Sequence, residues 1–536
     1  MRKLLVANRG EIACRIFRTC RRLGIATVAV VAPDDRGSLH ARVADETVEI
    51  TSYLDPGEHV RAAVATGAEA IHPGYGFLAE SPDFAQAVEA AGLVFVGPTA
   101  EALRLGGDKL AAKEIAVSAG VPVVPAGSPE EIGFPLLIKA AAGGGGRGMR
   151  VVRSPIELED ALAAARREAK AAFGDDRVFC ERLIERPRHV EIQVLADGRG
   201  TVVAVGEREC SIQRRHQKVL EEAPSPALDE VLRRRMTEAA VAFARAIGYR
   251  SAGTVELMLE GRQFWLLELN GRIQVEHPVT ELVAGIDLVE EQLRIAQGER
   301  LGPLPGQARG HAVEVRLYAE DPRTFLPQTG TIRRLCLPTG VRVDAGVEEG
   351  DEVGLSYDPL LAKLIAHGDT RQEALERLAQ ALDETVVEGL TTNLPFLRWL
   401  VSHPLVRAGQ TTTAFLVENP PLSQPPLRLP DSPWRGAWRL NLAPPPPSPP
   451  PDLEAASHHH GAVAVEASLA APMPGTVIRV LVSEGEVVQP RQPLLVLEAM
   501  KMETPLFAPY EAVVRRVLAR PGDQVAAGAP LVELED

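Results

Sequence analysis

The chain lacks several features that mark other classes of protein. Its 536 residues include only five cysteines, which are scattered and without the spacing of a metal site. We therefore expect reduced thiols and a cytoplasmic location rather than a disulfide-linked secreted fold. The apolar run at the N-terminus is too short for a signal peptide, and no stretch of about 18 apolar residues predicts a membrane span.

An excess of positive charge is also missing. The chain has 58 Lys and Arg against 72 Asp and Glu, so its formal net charge is −14. This balance argues against nucleic acid as a partner, although local basic clusters remain able to bind phosphates. With 45% hydrophobic and 24% charged residues, the composition is that of an ordinary soluble protein, long enough for about three to five domains.

Hydrophobic patterning divides the chain into segments. Strand-like runs over residues 3–7 and 26–31 flank a helical pattern over 10–23, which predicts a parallel α/β unit. A second amphipathic helix is predicted from residue 371 to 389. The predicted segments are an α/β domain over 1–110, a domain of glycine loops and strands over 111–320, a mixed α and β domain over 321–425, a linker over 426–465 and a small β domain over 466–536.

The linker is defined by proline. Residues 444–451 contain seven prolines and one serine, which favour an extended polyproline conformation over a packed core. We interpret the segment as a semi-rigid spacer between domains. Such a tether suits a carrier group that must visit separate sites.

The last 70 or so residues contain an internal repeat. The run Gly475–Leu481, then Gly485 and Pro493–Glu498, recurs 37 residues later as residues 512–518, 522 and 530–535. Two copies of a short β unit predict a small barrel made of two related halves. Lys501, framed by Met500 and Met502, falls between the copies, where a hairpin tip is expected.

A glycine-rich loop lies between two predicted strands. Residues 143–148 satisfy G-x-G-x-x-G, but a Rossmann loop should open a helix, and residues 149–152 have a strand pattern instead. The Gly-Lys-Ser/Thr ending of a Walker A loop is absent. A strand–loop–strand flap can fold over phosphates, with Lys109 and Lys139 as positive contacts. The alternative is a flexible hairpin without a ligand.

A pair of strands around Gly261-Arg262 offers oxygen ligands for a metal. If the loop has three residues, Glu256 and Glu268 stand opposite each other, and Asn270 shares the face of Glu268. Two carboxylates this close repel each other unless a cation lies between them. Oxygen ligands favour Mg²⁺ or Mn²⁺ over zinc. The alternative is a solvated strand face.

The segment around Lys501 resembles the biotinyl carrier domain of biotin-dependent carboxylases, in which the framed lysine carries biotin. The lipoyl domain is the nearest alternative, but it usually lacks the two methionines. The rest of the chain resembles the ATP-grasp fold and biotin carboxylase in particular. The motifs that carry this resemblance are residues 71–80, 107–109, 136–152, 188–193, 213–218 and 272–281.

The resemblance implies an α/β chain with a pre-ATP-grasp α/β domain, an ATP-grasp domain with a glycine-rich lid, an α+β C-terminal carboxylase domain and a small all-β biotinyl barrel. It also implies roles for individual residues. The ATP-binding positions are Lys109, Lys139, Gly145, Gly146, Glu181, Arg182, Leu183, Ile184, His189, Gln213 and His216. The metal ligands are Glu256, Glu268 and Asn270, and the bicarbonate pocket is Lys218, Arg272, Gln274 and Val275. Lys218 and Arg272 are also catalytic, together with the base Glu276 and with Arg316, which stabilises the biotin enolate.

Two departures from the family pattern stand out. Gly271 occupies a position where family members often carry Thr or Pro, so Gly271→Thr is expected to be tolerated. Only about 40 residues, mostly proline-rich, separate the carboxylase from the carrier, where related subunits often have a domain that docks the partner. This departure puts docking of the partner subunit in doubt.

The resemblance predicts a subunit that makes carboxybiotin on Lys501 from ATP and bicarbonate. A separate carboxyltransferase subunit would pass the carboxyl group to an acyl-CoA, and a biotin protein ligase would attach the biotin. We expect a homo-oligomer and no nucleic-acid or membrane partner. One alternative is a subunit that serves pyruvate. Another is a carrier scaffold with an inactive ATP site, against which the intact Lys218, Arg272, Glu276 and Arg316 argue.

Overall fold

The structure is a computed structural model that describes residues 1–141, 149–214, 217–302, 309–422, 468–471, 475–489, 492–499, 502–525 and 529–535. Gly145, Gly146, His216, Lys501 and the predicted linker lie outside the described residues. The chain divides into two compact units: residues 1–323, 330–353 and 360–421 form the first, and residues 324–329, 354–359 and 422–536 form the second. Among the described residues, no helix has both the length and the apolar character needed to cross a membrane.

The first unit begins with a five-stranded parallel sheet in the order β3-β2-β1-β4-β5. The residues Leu4, Leu5 and Val6 of β1 are fully buried, as expected for a parallel strand covered on both faces. The predicted parallel α/β unit is confirmed. The elements are β1 (Lys3–Val6), α1 (Gly10–Arg22), β2 (Ala26–Val31), α2 (Leu39–Val43), β3 (Glu46–Glu49), α3 (Pro56–Thr66), β4 (Ala70–His72), α4 (Pro82–Ala90), β5 (Val94–Phe95) and α5 (Ala100–Gly107).

A four-stranded antiparallel sheet follows, in the order β6-β9-β7-β8. Strands β7 and β8 pair directly across the glycine-rich loop, so the predicted strand–loop–strand arrangement is confirmed on both sides of the loop. The elements are α6 (Lys109–Ser118), β6 (Ala126–Gly127), α7 (Pro129–Ile132), β7 (Leu136–Ala140), β8 (Arg150–Val152), α8 (Leu158–Phe173) and β9 (Val178–Arg182).

An eight-stranded antiparallel sheet forms the centre of the unit, in the order β14-β13-β10-β11-β12-β15-β20-β18. Helix α9 packs Met236, Ala240 and Phe243 against apolar side chains of this sheet. The elements as far as β15 are β10 (Arg188–Asp197), β11 (Val202–Arg214), β12 (Gln217–Ala223), α9 (Glu230–Ala246), β13 (Arg250–Glu260), β14 (Gln263–Asn270), α10 (His277–Ala284), α11 (Leu288–Ala296) and β15 (His311–Tyr318).

The remaining part of the first unit contributes two more strands to the same sheet, because β15 pairs with β20 and β20 pairs with β18. One sheet therefore runs through the predicted boundary at residue 320, and the predicted domain limits stay predictions. Helix α12 occupies most of the predicted amphipathic stretch and is capped by Thr370. The elements are β16 (Gly330–Thr331), β17 (Arg334–Cys336), β18 (Arg342–Ala345), β19 (Glu352–Val353), β20 (Leu360–Gly368), α12 (Arg371–Glu384), β21 (Val386–Glu388), α13 (Leu394–Ser402), α14 (Pro404–Arg407) and α15 (Phe415–Glu418).

The C-terminal part of the second unit holds two four-stranded sheets, in the orders β22-β29-β27-β24 and β26-β25-β23-β28. The short strand of each sequence repeat pairs with the first strand of the other repeat, so neither repeat forms its sheet alone. This interlocking confirms the predicted construction from two related halves. The elements are β22 (Ser468–Ala470), β23 (Gly475–Val480), β24 (Val487–Val488), β25 (Pro493–Ala499), β26 (Met502–Phe507), β27 (Ala512–Val517), β28 (Gln524–Val525) and β29 (Pro530–Glu535).

The strands on either side of Lys501 pair with each other. Strands β25 and β26 are antiparallel as far as the pair Ala499 and Met502. Residues 500 and 501, where the hairpin tip is predicted, lie outside the described residues.

Candidate active site

Four charged residues line up across the central sheet. Glu268 on β14 stands opposite Glu256 on β13, Glu256 stands opposite Glu191 on β10, and Glu191 stands opposite Arg208 on β11. Directly opposed residues of an antiparallel sheet share one face, so the row concentrates three carboxylates on a single surface. Such a row requires cations nearby.

Lys218 on β12 supplies one of them. Its ammonium group donates hydrogen bonds to Glu191 at 2.5 Å, to Glu256 at 2.8 Å and to Glu276 at 2.6 Å. Burial alone would lower the pKa of Lys218, but Glu191, Glu256 and Glu276 outweigh it and hold that pKa well above its usual value. The lysine is therefore a fixed positive charge that joins three carboxylates.

Glu276 lies just before helix α10, completely buried, between two cationic side chains. One oxygen accepts from Lys218, and the other accepts from Arg316 on β15 at 3.0 Å. Burial would raise the pKa of Glu276, but Lys218, Arg316 and Arg208 reverse the effect and hold it well below its usual value. Glu276 is thus an anion with a strongly favourable set of partners.

The segment between β14 and α10 places the remaining predicted bicarbonate residues. Arg272 donates to Glu80 at 3.0 Å, to Gln274 at 2.9 Å and to Asn270 at 3.1 Å. The carbonyl oxygen of Val275 is on the same segment and accepts a hydrogen bond from the buried Lys363 at 2.8 Å. The segment is therefore held by side chains at both ends.

The predicted pairing of Glu256 with Glu268 is confirmed, but the predicted three-residue loop is wrong. Glu260 pairs directly with Gln263, so Gly261 and Arg262 form a two-residue turn. Gly261 has φ +58°, the left-handed conformation that such a turn requires. A bulge at Leu267 then shifts the register by one residue and brings Glu268, rather than Leu267, opposite Glu256.

The residues Glu256, Glu268 and Asn270 fit a divalent cation. Asn270 donates to Glu256 at 2.8 Å, which places an amide beside the two carboxylates. Burial raises the pKa of Glu268, and the charge of Glu256 raises it further, so the ionised form of Glu268 calls for an added positive charge. The donor set consists of oxygen atoms, which suits Mg²⁺ or Mn²⁺.

A second cluster in the described part of the chain, His189, Glu191 and Glu256, also has the dimensions of a metal site. The ammonium group of Lys218 already bonds to both carboxylates of that cluster. His189 contacts Glu256 at 2.9 Å, and Glu256 outweighs burial and raises the pKa of the imidazole. The ammonium group of Lys218, bonded to two of the three members, disfavours a metal in this cluster.

The predicted ATP residues fall into two groups. Lys139 on β7 forms an ion pair with Glu181 on β9 at 3.0 Å, and Lys113 of α6 pairs with the same carboxylate. Burial lowers the pKa of Lys109, and Glu268 offsets this only in part. These three lysines lie around the base of the hairpin formed by β7 and β8.

The other group lies along the neighbouring strands. Arg182 is exposed, Leu183 is half-buried, and Ile184 packs with Val124 and Trp265. One ring nitrogen of His189 lies 2.7 Å from the amide of Gln213, and the other lies 2.9 Å from Glu256. His189 therefore links Gln213, which is also a predicted nucleotide residue, to the row of carboxylates.

Several residues at the site were not singled out from the sequence. They are Glu191, Arg208, Glu221, Lys113 and Glu80. Glu191 lies within a motif used for the resemblance, and the alternation of side chains along β10 is the signal that could have identified it. Glu80 also lies within such a motif, and Lys113 is one turn from Lys109 on α6, whereas Arg208 and Glu221 lie outside the motifs and enter the site through strand pairing.

Four family profiles match successive parts of the chain. The N-terminal domain of biotin carboxylase matches residues 1–103, and the ATP binding domain of the carbamoyl-phosphate synthase L chain matches residues 108–304. The C-terminal domain of biotin carboxylase matches residues 314–418, and a profile described as biotin-requiring enzyme matches residues 467–534.

Curated relatives agree with these matches. The propionyl-CoA carboxylase alpha chain of Ruegeria pomeroyi is 46% identical over 477 residues, which are 81% of this chain and 70% of the relative. The methylcrotonoyl-CoA carboxylase subunit alpha of Arabidopsis thaliana is 49% identical over 443 residues, but only 60% of its own length is covered. The biotin carboxylase of Haemophilus influenzae is 48% identical over 439 residues and is covered to 98%.

Solved structures show the same fold. The biotin carboxylase domain of Hydrogenobacter thermophilus 2-oxoglutarate carboxylase, crystallised with MgADP, ADP and bicarbonate, has a TM-score of 0.76 at 43% identity over 78% of this chain and 98% of that chain. A biotin carboxylase complex from Campylobacter jejuni gives a TM-score of 0.76 at 39% identity with the same coverage. The fold class and the resemblance predicted from the sequence are confirmed. The chain belongs to the biotin carboxylase family, with a domain of biotin-requiring enzymes at its C-terminal end.

Proposed function

We propose that this chain uses ATP and bicarbonate to carboxylate biotin attached to its own Lys501. The observation that carries the proposal is the buried carboxylate of Glu276, which is held between Lys218 and Arg316. A third cationic side chain, that of Arg272, belongs to the same site. This arrangement combines a proton acceptor with cations that can bind small anions. The biotin-requiring domain supplies the carrier in the same chain.

The phosphates of ATP would be bound by the glycine-rich loop and by the lysines at its base. Lys139 is neutralised by Glu181 at 3.0 Å, and a phosphate would compete with that carboxylate for the lysine. Glu256, Glu268 and Asn270 would hold Mg²⁺ or Mn²⁺, which neutralises phosphate charge during phosphoryl transfer. With the nucleotide in place, an oxygen of bicarbonate would attack the γ-phosphoryl group, the bond from that group to the β-phosphate oxygen would break, and ADP and carboxyphosphate would result.

Bicarbonate would bind next to Glu276. The side chains of Lys218 and Arg272 provide positive charge, and Arg272 is held in place by Glu80 at 3.0 Å. Gln274, which lies 3.5 Å from Glu256, can turn its amide to an oxygen of the substrate. The residues therefore fit a small planar anion.

The charge balance explains how Glu276 can become a base. In the resting site its pKa is held well below the usual value, first by Lys218 and then by Arg316, against the effect of burial. A bicarbonate anion that draws Lys218 toward itself removes part of this stabilisation. The proton affinity of Glu276 then rises at the moment when a proton donor is adjacent.

Carboxyphosphate would break down to CO₂ and phosphate, and the ureido nitrogen of biotin would lose its proton to that phosphate and attack CO₂. Arg316 presents a permanent positive charge within 3.0 Å of Glu276, where it can bind an oxygen that becomes negative. The site thus combines a proton acceptor, Glu276, with a cation for the developing oxyanion, Arg316.

The chain would act as the α subunit of an acyl-CoA carboxylase. Its relatives include alpha chains named for propionyl-CoA and methylcrotonoyl-CoA, with 46% and 49% identity. A separate carboxyltransferase subunit would receive the carboxyl group, and a biotin protein ligase would modify Lys501. The cysteines within the described residues are free thiols, which suits a cytoplasmic enzyme, and we expect a homo-oligomer.

The substitution Glu276→Gln tests the proposal. Because an amide cannot accept the proton, bicarbonate-stimulated ATP cleavage with free biotin should fall on the order of 10²–10⁴-fold. Nucleotide binding, measured with a fluorescent ATP analogue, should be retained. The matched variant Glu299→Gln removes an exposed carboxylate that pairs with Arg294 and should behave as wild type. Near-normal turnover of Glu276→Gln would remove Glu276 from the reaction.

A further inference from the structure

Two carboxylates face each other behind Arg316. Glu221 on β12 and Glu314 on β15 are directly opposed in the antiparallel register, and both side chains are fully buried. Among the described residues, none of their carboxylate oxygens accepts a hydrogen bond of good geometry. Glu221 forms an ion pair with Arg316 at 2.5 Å.

The cationic side chains around this pair already bond to other groups. Arg316 is shared with Glu276, to which it donates at 3.0 Å. Lys363 on β20 stands opposite Arg316, but it binds the carbonyl of Val275 at 2.8 Å and Glu11 at 3.0 Å. Lys218 reaches Glu276 from the other side and is shared with two further carboxylates.

These groups leave an excess of carboxylates. The charged and titratable residues that face the pair are Arg316 on β15, Lys363 on β20, Lys218 on β12, Cys210 on β11 and Glu276 before α10. The guanidinium of Arg316 forms ion pairs with both Glu221 and Glu276, and Glu314 adds a third carboxylate nearby. Two opposed buried anions without hydrogen bonds are far more costly than a pair that binds a proton.

We propose that Glu221 and Glu314 hold one proton between them at neutral pH and position Arg316 for the carboxylation reaction. The inference depends on the proposed function. With the proton bound, the pair carries one negative charge, and Arg316 remains shared with Glu276. Loss of the proton to solvent adds a second negative charge, which draws Arg316 away from Glu276 and from the substrate.

The electrostatics of the site agree with this arrangement. Burial raises the pKa of Glu314 well above its usual value, and the charge of Glu221 raises it further against the opposite effects of Lys363 and Arg316. Burial also raises the pKa of Glu221 to about 7, although Arg316 acts in the opposite direction. A carboxyl group with a raised pKa keeps its proton to a higher pH than an ordinary carboxyl group does. Activity should therefore fall on the alkaline side as the pair ionises.

The substitution Glu314→Gln provides the test, because an amide has the shape of a protonated carboxyl group and cannot ionise. We expect kcat at neutral pH to fall by no more than about threefold and the alkaline limb of the pH–rate profile to move upward by about one unit or more. The matched variant Glu222→Gln changes the neighbouring buried acid, which faces His311 and Arg371 instead, and should leave the alkaline limb where it is in the wild type.

Infrared spectroscopy of the full chain gives a readout that does not depend on activity. The difference spectrum of wild type minus Glu314→Gln should contain a carbonyl stretch of a protonated carboxyl group at neutral pH that disappears on raising the pH, and this band should not appear in the difference spectrum of wild type minus Glu222→Gln. Absence of that band from the difference spectrum with Glu314→Gln, or an unchanged alkaline limb in Glu314→Gln, would overturn the proposal. Failure of the proposed function would appear differently, as wild-type protein that shows the band but no bicarbonate-dependent ATP cleavage.

Discussion

At the scale of single residues, Lys218 connects three elements that are remote in sequence. It bonds Glu191 on β10, Glu256 on β13 and Glu276 before α10. A buried charge network of this kind adds little to stability compared with apolar packing, but removal of one partner leaves the others buried without compensation. Lys218 therefore has a structural role in addition to the proposed binding of bicarbonate.

Lys218→Met should lower the free energy of unfolding of the first unit by about 3–5 kcal/mol at neutral pH, because three buried carboxylates lose their shared cation. Thermal and urea unfolding measure this loss. The control is Lys3→Met, which breaks the partly exposed ion pair with Glu46 and should cost no more than about 1 kcal/mol.

The loss of stability caused by Lys218→Met should depend on pH. The folded-state pKa of Glu276 is well below its usual value, so its contribution to stability is complete above the unfolded-state pKa of about 4.3 and is lost as the pH falls through the folded-state value. The difference between wild type and Lys218→Met should be largest at neutral pH and shrink in acid. A difference that grows on acidification would contradict the assignment.

Gly271 gives a second prediction. A Cβ at this position would lie 2.7 Å from Cδ2 of Leu103, which is itself buried. The structure therefore argues against the tolerance of Thr expected from the sequence. Gly271→Ala should destabilise by about 1–3 kcal/mol through overpacking.

A double-mutant cycle with Leu103→Ala isolates this contact. Leu103→Ala makes room for the new methyl group, so the double variant should lose less stability than the sum of the two single variants, by about 1 kcal/mol or more. Additive losses in thermal unfolding would show that Leu103 is not the obstacle.

At the scale of elements, the hairpin of β13 and β14 shows how a correct pairing can follow from an incorrect turn. The opposition of Glu256 and Glu268 was expected from a three-residue loop, whereas the chain uses a two-residue turn and a bulge at Leu267. The two routes give the same register beyond the bulge. Turn length and bulge position depend on backbone conformation across two strands, which the residue types alone do not specify.

The repeated β units show the opposite case, in which the sequence pattern and the structure agree closely. The amide of Gly485 donates to the carbonyl of Val514 at 2.7 Å, and 37 residues later the amide of Gly522 donates to the carbonyl of Val477 at the same distance. Their φ angles are +87° and +97°, in a region that favours glycine.

Gly485→Ala and Gly522→Ala should therefore have equal effects. No atom lies within 4 Å of an added Cβ at either position, so the cost is conformational and amounts to about 1–2 kcal/mol each. Calorimetry of the full chain should show the loss in the transition of the second unit. Gly485→Asn should cost less, because asparagine adopts the left-handed conformation more readily. Unequal losses for the two alanine variants would contradict the structural equivalence of the repeats.

At the scale of the whole molecule, the division into two compact units predicts separable functions. Lys501 is the single lysine in the sequence between residues 466 and 536, so it is the one site in that segment where biotin can form an amide with a lysine. The residues proposed to bind ATP and bicarbonate all belong to the first unit.

Lys501→Arg should abolish binding of the chain to streptavidin after treatment with a biotin protein ligase, because arginine cannot form the amide. Carboxylation of free biotin with ATP and bicarbonate should continue at the wild-type rate, because the first unit is unchanged. Retained streptavidin binding would place the biotin elsewhere, and loss of free-biotin activity would mean that the two functions are not separable.

The sequence by itself determined the repeat through its local pattern, and the fold class and the main functional motifs through the resemblance to biotin carboxylase, because these features are encoded in residues close together along the chain. The same resemblance predicted roles for Lys218, Glu276 and Arg316. Only the tertiary structure decided which charges meet. Glu191, Arg208 and Glu221 enter the site because strand register and side-chain alternation bring distant positions onto one face of the central sheet, and a register is set by the packing of the whole sheet rather than by any short stretch of sequence.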